Sequence, residues 1–535
     1  MYLHRVDLEN YRGIRKAEVD LAEMTVFIGE NGCGKSSLLN AIETCIGRKA
    51  PAGSFDFRPG DLYLNGDDNP SREIRLQLHF REIELSSAAL LTPLREAGLT
   101  DSQGLLNFQL QVTASPQANG FSVDWRLGQE QRWLTDEGLL GLLRRACPLV
   151  RIRCGRLPEI AISEEDDSAS PMLNQIRQAF HSIMESQAPP PGLLESALAH
   201  LKEFIAGLDS HRTAREPASL VGRLEAPMKG PDDFRWVVRH LRGTGIQSLA
   251  ILAVMSDFVE AQGPGPLSED STPIITLEEP EVHLHPLASR TVWNLLEPLS
   301  AQKLLTTYSP ELLAAAPLST VRRMIRSHDG HLSLFGPSPQ QFDRRSLRRA
   351  AYHVRIRRSS ALFMRAWLLV EGESEFWLLN EVARVCGYDL ASEGVTCVEF
   401  AQSGLGVLVE LAASLGIKWH ILCDGDKAGN QYREEAERLL HLGGGEIFQL
   451  RELDLENCLW NHGYESIYRR EAGAIKRARK AGRKVVLKQA VRKTSKPYLA
   501  LAVSEEMRSR GERGAPRPLR TLIENVVRAA RSLDN

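Results

Sequence analysis

No apolar stretch in the 535 residues approaches the ~20 that a membrane-spanning helix needs, so no membrane association is expected. Residues 1–16 carry acids and bases throughout and contain no apolar core of the kind a secretory signal has. The eight cysteines, at 33, 45, 147, 154, 386, 397, 423 and 458, include no CxxC pair. That argues against a zinc ribbon and reads as buried thiols in a reducing cytoplasm, the expected location. There is no internal repeat and no heptad run long enough for an extended coiled coil. Gly (41) and Pro (27) are near average, which excludes a wholly disordered chain. What remains is an ordinary soluble composition, 43% hydrophobic and 25% charged. The length suggests three to four domains at about 150 residues each.

The net charge of −2 hides an asymmetry. Residues 469–517 hold 16 Lys/Arg against 4 Asp/Glu, and residues 344–358 hold 7 Arg and no acid. Basic segments in a nearly neutral chain suggest an acidic partner, most simply a nucleic acid backbone. Either segment alone reads as well as a solvated helix face.

Gly29-Glu30-Asn31-Gly32-Cys33-Gly34-Lys35-Ser36 fits G-x-x-x-x-G-K-[ST] in full, with an apolar strand (24–28) before it and helical spacing (36–46) after it. The glycines let backbone N–H groups wrap phosphates, Lys35 reaches the β/γ-phosphates, and the Ser36 hydroxyl can sit on Mg²⁺. Asn31, Gly32, Gly34 and Ser37 complete the expected ATP contacts. Some 240 residues on, the apolar strand 273–277 ends in Glu278 and Glu279. Glu278 would face the metal, and Glu279 would polarise the attacking water.

These residues and their neighbours resemble an ABC-type ATPase of the SMC and RecF kind. Glu279-Pro280-Glu281-Val282-His283-Leu284-His285-Pro286 looks like the Walker B and D-loop of that group, and Asn10-Tyr11-Arg12-Gly13 like its opening turn, whose Arg approaches nucleotide. Gly243-Thr244-Gly245-Ile246-Gln247-Ser248 stands where the signature motif stands, so the resemblance implies that Gly245 and Gln247 cap ATP held by a second head. Leu304-Leu305-Thr306-Thr307-Tyr308-Ser309-Pro310 matches the switch loop, with Tyr308 in place of the usual histidine. A phenol donates one hydrogen bond but carries no imidazolium charge, so slow hydrolysis is expected.

A second constellation starts at an apolar strand (366–370) ending in Glu371-Gly372-Glu373-Ser374-Glu375. About 50 residues later the strand 417–423 ends in Asp424-Gly425-Asp426. In an αβ sheet, ligands gather at the strands' C-terminal edge. Glu371, Glu375, Asp424 and Asp426 converging there would repel one another without cations, and hard oxygen donors in that number suit Mg²⁺ or Mn²⁺. Gly372 and Gly425 are expected to allow the close turns. This EG-x-x-E and D-x-D pair resembles a Toprim domain.

An ABC ATPase followed by a Toprim domain is similar to the OLD (overcoming lysogenisation defect) family. The expected fold class is α/β. An ABC-type mixed sheet with a helical insertion precedes a Toprim domain (a Rossmann-like parallel sheet) and a basic helical C-terminal segment. The expected boundaries are 1–340 for the ATPase, with a helical dimerisation insertion at about 155–230, then 341–361 for a basic linker. The Toprim catalytic domain follows at 362–470 and the basic C-terminal region at 471–535. The resemblance implies ATP, two divalent ions in the Toprim site and one with ATP, DNA as substrate, a homodimer, and a role in phage defence or repair. A partner helicase is compatible with the family but not readable in these residues. Glu456 is a candidate for the second metal, or equally an acid favoured at a helix N-terminus. The resemblance also implies a basic residue C-terminal to the acids that stabilises charge on the scissile phosphate; this falls on Lys496, with Lys493 and Lys488 as competitors, and any of the three reads equally as a contact to DNA backbone. A DNA-bound ATPase switch that cuts nothing, and an RNA-cleaving Toprim nuclease, are the alternative readings.

Overall fold

The computed structural model describes residues 1–47, 55–64, 71, 73–86, 89–118, 120–129, 132–153, 271–282, 292–293, 296, 301–337, 359–473 and 481–532. The expected insertion, Gly245, Gln247 and the arginine run at 344–358 lie outside them. The chain divides into two compact units, residues 1–316 with 320–334, and residues 317–319 with 335–535. Among the described residues no helix is long and apolar enough to cross a membrane.

Among the described residues the first unit holds twelve strands. These are β1 (Tyr2–Tyr11), β2 (Ile14–Asp20), β3 (Met24–Gly29), β4 (Ile74–Arg81), β5 (Asn107–Gln117), β6 (Gly120–Gln129), β7 (Arg132–Leu134), β8 (Leu149–Arg153), β9 (Ile274–Glu278), β10 (Gln302–Thr306), β11 (Val321–Arg326) and β12 (His331–Phe335). They form one mixed sheet in the order β7-β6-β5-β4-β1-β2-β12-β11-β3-β10-β9-β8. β4 alternates buried and half-buried residues as an antiparallel strand with one covered face does, whereas β9 and β10 are buried at every position, as parallel central strands are. β10 pairs in parallel with both β3 and β9, with Thr306 opposite Phe27 and Glu278. The C-terminal ends of these three strands therefore share one sheet edge. Helix α1 (Lys35–Ile46) follows β3 and buries Leu38, Leu39, Ile42 and Ile46.

The second unit centres on four parallel strands, β13 (Ala366–Val370), β14 (Val395–Glu399), β15 (Lys418–Cys423) and β16 (Gly445–Gln449), in the order β14-β13-β15-β16. Its α-helices among the described residues are α2 (Glu373–Val385), α3 (Leu405–Ser414), α4 (Lys427–Leu439), α5 (Leu455–Leu459), α6 (Glu465–Ala472), α7 (Arg483–Lys493), α8 (Lys496–Arg510) and α9 (Arg517–Arg531). α9 buries Leu519, Leu522, Ile523, Val526, Val527 and Ala530, the 3–4 spacing of one apolar stripe. That stripe and Leu499, Val503 and Met507 of α8 join Leu378, Leu379 and Val382 of α2 in one core. The C-terminal helices thus share the core of the parallel sheet. Each fully buried leucine contributes roughly 1.5–3 kcal/mol. Arg508 of α8 forks onto Glu381 of α2, Nε to Oε1 at 3.0 Å and Nη2 to Oε2 at 2.9 Å. Several cations of the basic segment are ion-paired inside the unit, among them Arg469 with Glu465 and Arg510 with Glu506.

Candidate nucleotide and metal sites

The phosphate loop runs from β3 into α1 with Gly29, Gly32 and Gly34 all at positive φ. At Gly29 a Cβ would lie 2.5 Å from the Met324 carbonyl oxygen, so no other residue fits there. α1 starts at Gly34 with no side-chain cap, leaving its first N–H groups for an anion. Lys35 is buried, and its ammonium donates to the carbonyls of Gly29 (2.8 Å) and Glu30 (2.9 Å). It also lies 4.0 Å from the centroid of the Tyr308 ring. Burial holds the Lys35 pKa below its ordinary value. Burial, then Glu279 and the other nearby acids, push the Tyr308 phenol up to about 12. Asn31 and Gly32 are exposed, while Ser36 and Ser37 are half-buried at the helix start.

Glu278 ends β9 almost fully buried, and Arg151 of β8 donates to it at 3.0 Å. The same guanidinium reaches Asn40 (2.6 Å) and Glu43 (2.7 Å) of α1. Glu279 has φ 52°, a left-handed conformation, and its N–H donates to the Thr306 carbonyl at 3.0 Å. Glu281 ties this loop to the one after β10. Its Oε1 accepts from Thr307 Oγ1 (2.7 Å), the Tyr308 N–H (2.7 Å) and the Ser309 N–H (3.1 Å). Arg12, with φ 52°, is held by Asp61 at 2.7 Å. Arg151, Glu281 and Asp61 were not singled out from the sequence. Nothing local marks the first or the last, whereas Glu281 stands inside the quoted D-loop segment.

In the second unit, β13 and β15 pair in parallel with Leu369 opposite Ile421, so Glu371 and Asp424 leave adjacent strand ends. Glu375, in the first turn of α2, accepts the Gly372 N–H at 3.1 Å. Asp424 is the focus of the charge. Burial, then Glu375, Glu456, Asp454 and Glu371, push its carboxyl up to about 8. Burial also raises Glu375, with Glu456 and Glu371 adding and Lys496 opposing. Lys496 meets Glu456 at 3.1 Å. Although burial works against its charge, Glu456, Glu375 and Asp424 raise its pKa. Glu371, Glu375, Asp424, Glu456 and Lys496 are thus brought together. Asp426 stands further out: it is exposed and its Oδ1 caps α4 by accepting the Gly429 N–H at 2.7 Å. The two glycines differ. A Cβ at Gly425 would lie 2.3 Å from the Glu452 carbonyl oxygen, whereas Gly372 is extended with only Glu375 Oε2 at 3.6 Å, so only Gly425 is sterically required. Asp454 is the acid that sequence reasoning passed over. It caps α5 at Asn457 (2.7 Å), and its D-x-E spacing with Glu456 repeats the D-x-D pattern after a neighbouring strand.

Half-buried carboxylates with one lysine among them form an oxygen-only donor set with excess negative charge, which fits hard divalent cations. The phosphate loop, the acids after β9 and the loop after β10 lie on one sheet edge, an arrangement that can hold a nucleotide triphosphate.

Comparison with known proteins matches residues 1–361 to the family described as "Protein of unknown function (DUF2813)". Residues 362–426 match "Overcoming lysogenization defect protein-like, TOPRIM domain". The uncharacterized protein YbjD of Escherichia coli (strain K12) is 29% identical over 555 residues, covering 99% of each chain. The OLD nuclease of Thermus scotoductus is 22% identical over 456 residues, 79% of this chain and 82% of that one. The Old nuclease of Escherichia phage P2 is 27% identical over 216 residues, 37% of this chain and 35% of that one.

Proposed function

The chain belongs to the DUF2813 family and carries an OLD-like Toprim domain, and from that premise we propose that it is an ATP-binding and -hydrolysing, divalent-metal-dependent DNA endonuclease. The observation that carries this reading is the convergence of Glu371, Glu375, Asp454 and Glu456 on Asp424 at the adjacent ends of β13 and β15, with Lys496 3.1 Å from Glu456. Glu371, Glu375, Asp424, Asp426 and Glu456 would hold two Mg²⁺ or Mn²⁺ ions. When bound, such ions supply charge stabilisation for the scissile phosphate and lower the pKa of water. Lys496 places a fixed cation at the edge of the cluster, where it can hold a phosphate oxygen as negative charge develops. Lysines and arginines of the C-terminal segment that are not engaged within the unit would hold the backbone without reading sequence.

At the nucleotide site Ser36 and Glu278 would hold one further Mg²⁺ with ATP. Lys35 would exchange its bonds to the Gly29 and Glu30 carbonyls for the phosphates, and Arg12 would approach the nucleotide from the turn that Asp61 fixes. Glu279 would orient water, and Tyr308 would donate a hydrogen bond without adding charge. ATP-driven pairing of two heads, with Gly245 and Gln247 capping the partner's nucleotide, would make the enzyme a homodimer acting in the cytoplasm in phage defence or repair.

The test is cleavage of supercoiled plasmid with Mn²⁺ or Mg²⁺, with and without ATP, beside Asp424→Ala. Metal-dependent nicking or linearisation that the variant loses is expected. Intact ATPase activity with no cleavage under any metal condition overturns the nuclease reading.

A further inference from the structure

A donor set of different chemistry lies C-terminal to β16. One carboxylate oxygen of Glu452, the Cys458 sulfur and a ring nitrogen of His462 lie within 4.8 Å of one another. Three local features build it. Glu452 follows the end of β16, and its carbonyl accepts the Gly425 N–H at 3.0 Å, which anchors it to the D-x-D loop. Cys458 is a fully buried free thiol on α5. His462 lies in a kink, with non-helical φ −98° and ψ 22° followed by Gly463 at φ 92°, and the kink returns its ring to Cys458. His462 Nδ1 is 2.8 Å from the Cys458 carbonyl oxygen and 3.8 Å from Sγ. A carbonyl only accepts, so Nδ1 carries the ring proton and Nε2 keeps its lone pair. A metal-ligating histidine is usually held in this way, by the nitrogen it does not give to the ion.

Glu452 carries the second observation. Its Oε1 accepts from Asn461 Nδ2 at 3.2 Å, but its Oε2 is buried with no hydrogen-bond partner. A buried carboxylate oxygen in that state is costly, and a bound cation removes the cost.

We infer that Glu452, Cys458 and His462 form a transition-metal site, separate from the acid cluster, that takes Zn²⁺ or a similarly soft ion. Sulfur, imidazole and one carboxylate are a donor set for zinc and a poor one for Mg²⁺, whereas the cluster around Asp424 offers oxygen alone. Three protein ligands leave a fourth position for water. The spacing, an acid six residues before Cys458 and His462 four after it, is not that of a zinc ribbon, so the site is consistent with the lack of CxxC pairs. Through the Glu452 carbonyl, an ion here would also brace the turn that carries Asp424 and Asp426.

The experiment uses the full chain, stripped with chelator and titrated with Co²⁺ as the probe. A thiolate bound to Co²⁺ gives a near-ultraviolet charge-transfer band, which oxygen ligands do not. The band is expected to saturate at about one equivalent per chain. It is expected to vanish in Cys458→Ser, weaken in His462→Gln and persist in both Asp424→Ala and Cys386→Ser. Zn²⁺ should displace it, and excess Mg²⁺ should not. Absence of the band in the unmodified chain overturns the site whatever the variants do. So does a band that survives Cys458→Ser or yields to Mg²⁺. Because the readout is spectroscopic, failure of the nuclease reading leaves this result unaffected.

Discussion

At the nucleotide site the charged side chains are matched within the fold. Lys35 is bonded to two loop carbonyls, Glu278 to Arg151, Glu281 to the residues after β10, and Arg12 to Asp61. At the acid cluster Glu371, Glu375, Asp454 and Glu456 crowd Asp424, and Lys496 pairs with only one of them. The first site can stand without its ligand and must exchange internal contacts for external ones. The second is electrostatically unfavourable until cations arrive, so binding there relieves repulsion that folding built in.

The sharpest way to break this contrast is to discharge the acid cluster. Glu371→Ala combined with Asp424→Ala is expected to lower metal-dependent plasmid cleavage by about 100-fold or more, since the lost ion binding is worth several kcal/mol in the transition state. Cleavage left unchanged in a contaminant-free preparation would falsify the assignment. ATP hydrolysis, measured by phosphate release from the same variant, should remain.

At the nucleotide site the corresponding test adds charge. Tyr308→His should raise ATP turnover by about tenfold, because an imidazolium can carry charge toward the γ-phosphate where the phenol only donates. Tyr308→Phe should change turnover by a smaller factor. If the unmodified enzyme already turns over many ATP per second and Tyr308→Phe is inactive, the phenol is a sufficient catalyst and the comparison fails.

Asp424 also links the cluster to pH. Its folded pKa of about 8 lies above the usual carboxylate range. Between those two values the unfolded chain is ionised and the folded chain holds the proton. Metal-free stability therefore falls as pH rises from about 4 to 8 and levels off above. In EDTA, the melting temperature should drop over this window by a few degrees more than that of Asp424→Asn, with roughly 2–4 °C expected per kcal/mol. Adding Mg²⁺ at neutral pH should close the gap and release close to one proton, detectable by calorimetry in buffers of different ionisation enthalpy. Identical pH profiles for the two proteins would show that Asp424 is ordinary.

Short local signals account for what was legible in the sequence. The glycines of the phosphate loop and the apolar strands ending in acids foretold β3, α1, β9, β13 and β15, because backbone geometry at a strand end is set by a few neighbours. Lys496 and Glu456 came from resemblance, and in the structure they form an ion pair. Arg151 with Glu278 and Arg12 with Asp61 were not legible, since each pair joins segments 127 and 49 residues apart that only the folded sheet brings together. The role assigned to Gly372 failed for a related reason. The strand end there stays extended, and it is the Glu452 carbonyl, contributed by a later strand's loop, that makes Gly425 necessary.

Strain marks both sites, and it supplies the smallest test. Among the described residues, the non-glycine residues at positive φ are Asn10, Arg12, Glu279 and Ser495. Arg12 and Glu279 are residues proposed to act on the nucleotide, Asn10 lies in the same turn as Arg12, and Ser495 immediately precedes Lys496. Ser495, at φ 125° and ψ 157°, occupies a region that is essentially glycine's, at a cost of about 1–3 kcal/mol. Its side chain accepts the Tyr498 N–H at 3.4 Å, starting α8 and aiming Lys496 at Glu456. Ser495→Gly relieves the strain and removes the cap. The melting temperature should rise or hold, because the cap's loss to glycine amounts to only a few tenths of a kcal/mol. Cleavage should fall by about threefold, as the looser backbone holds Lys496 in position less of the time. A variant that is both more stable and equally active would separate the strain from Lys496 and leave the helix start as its cause.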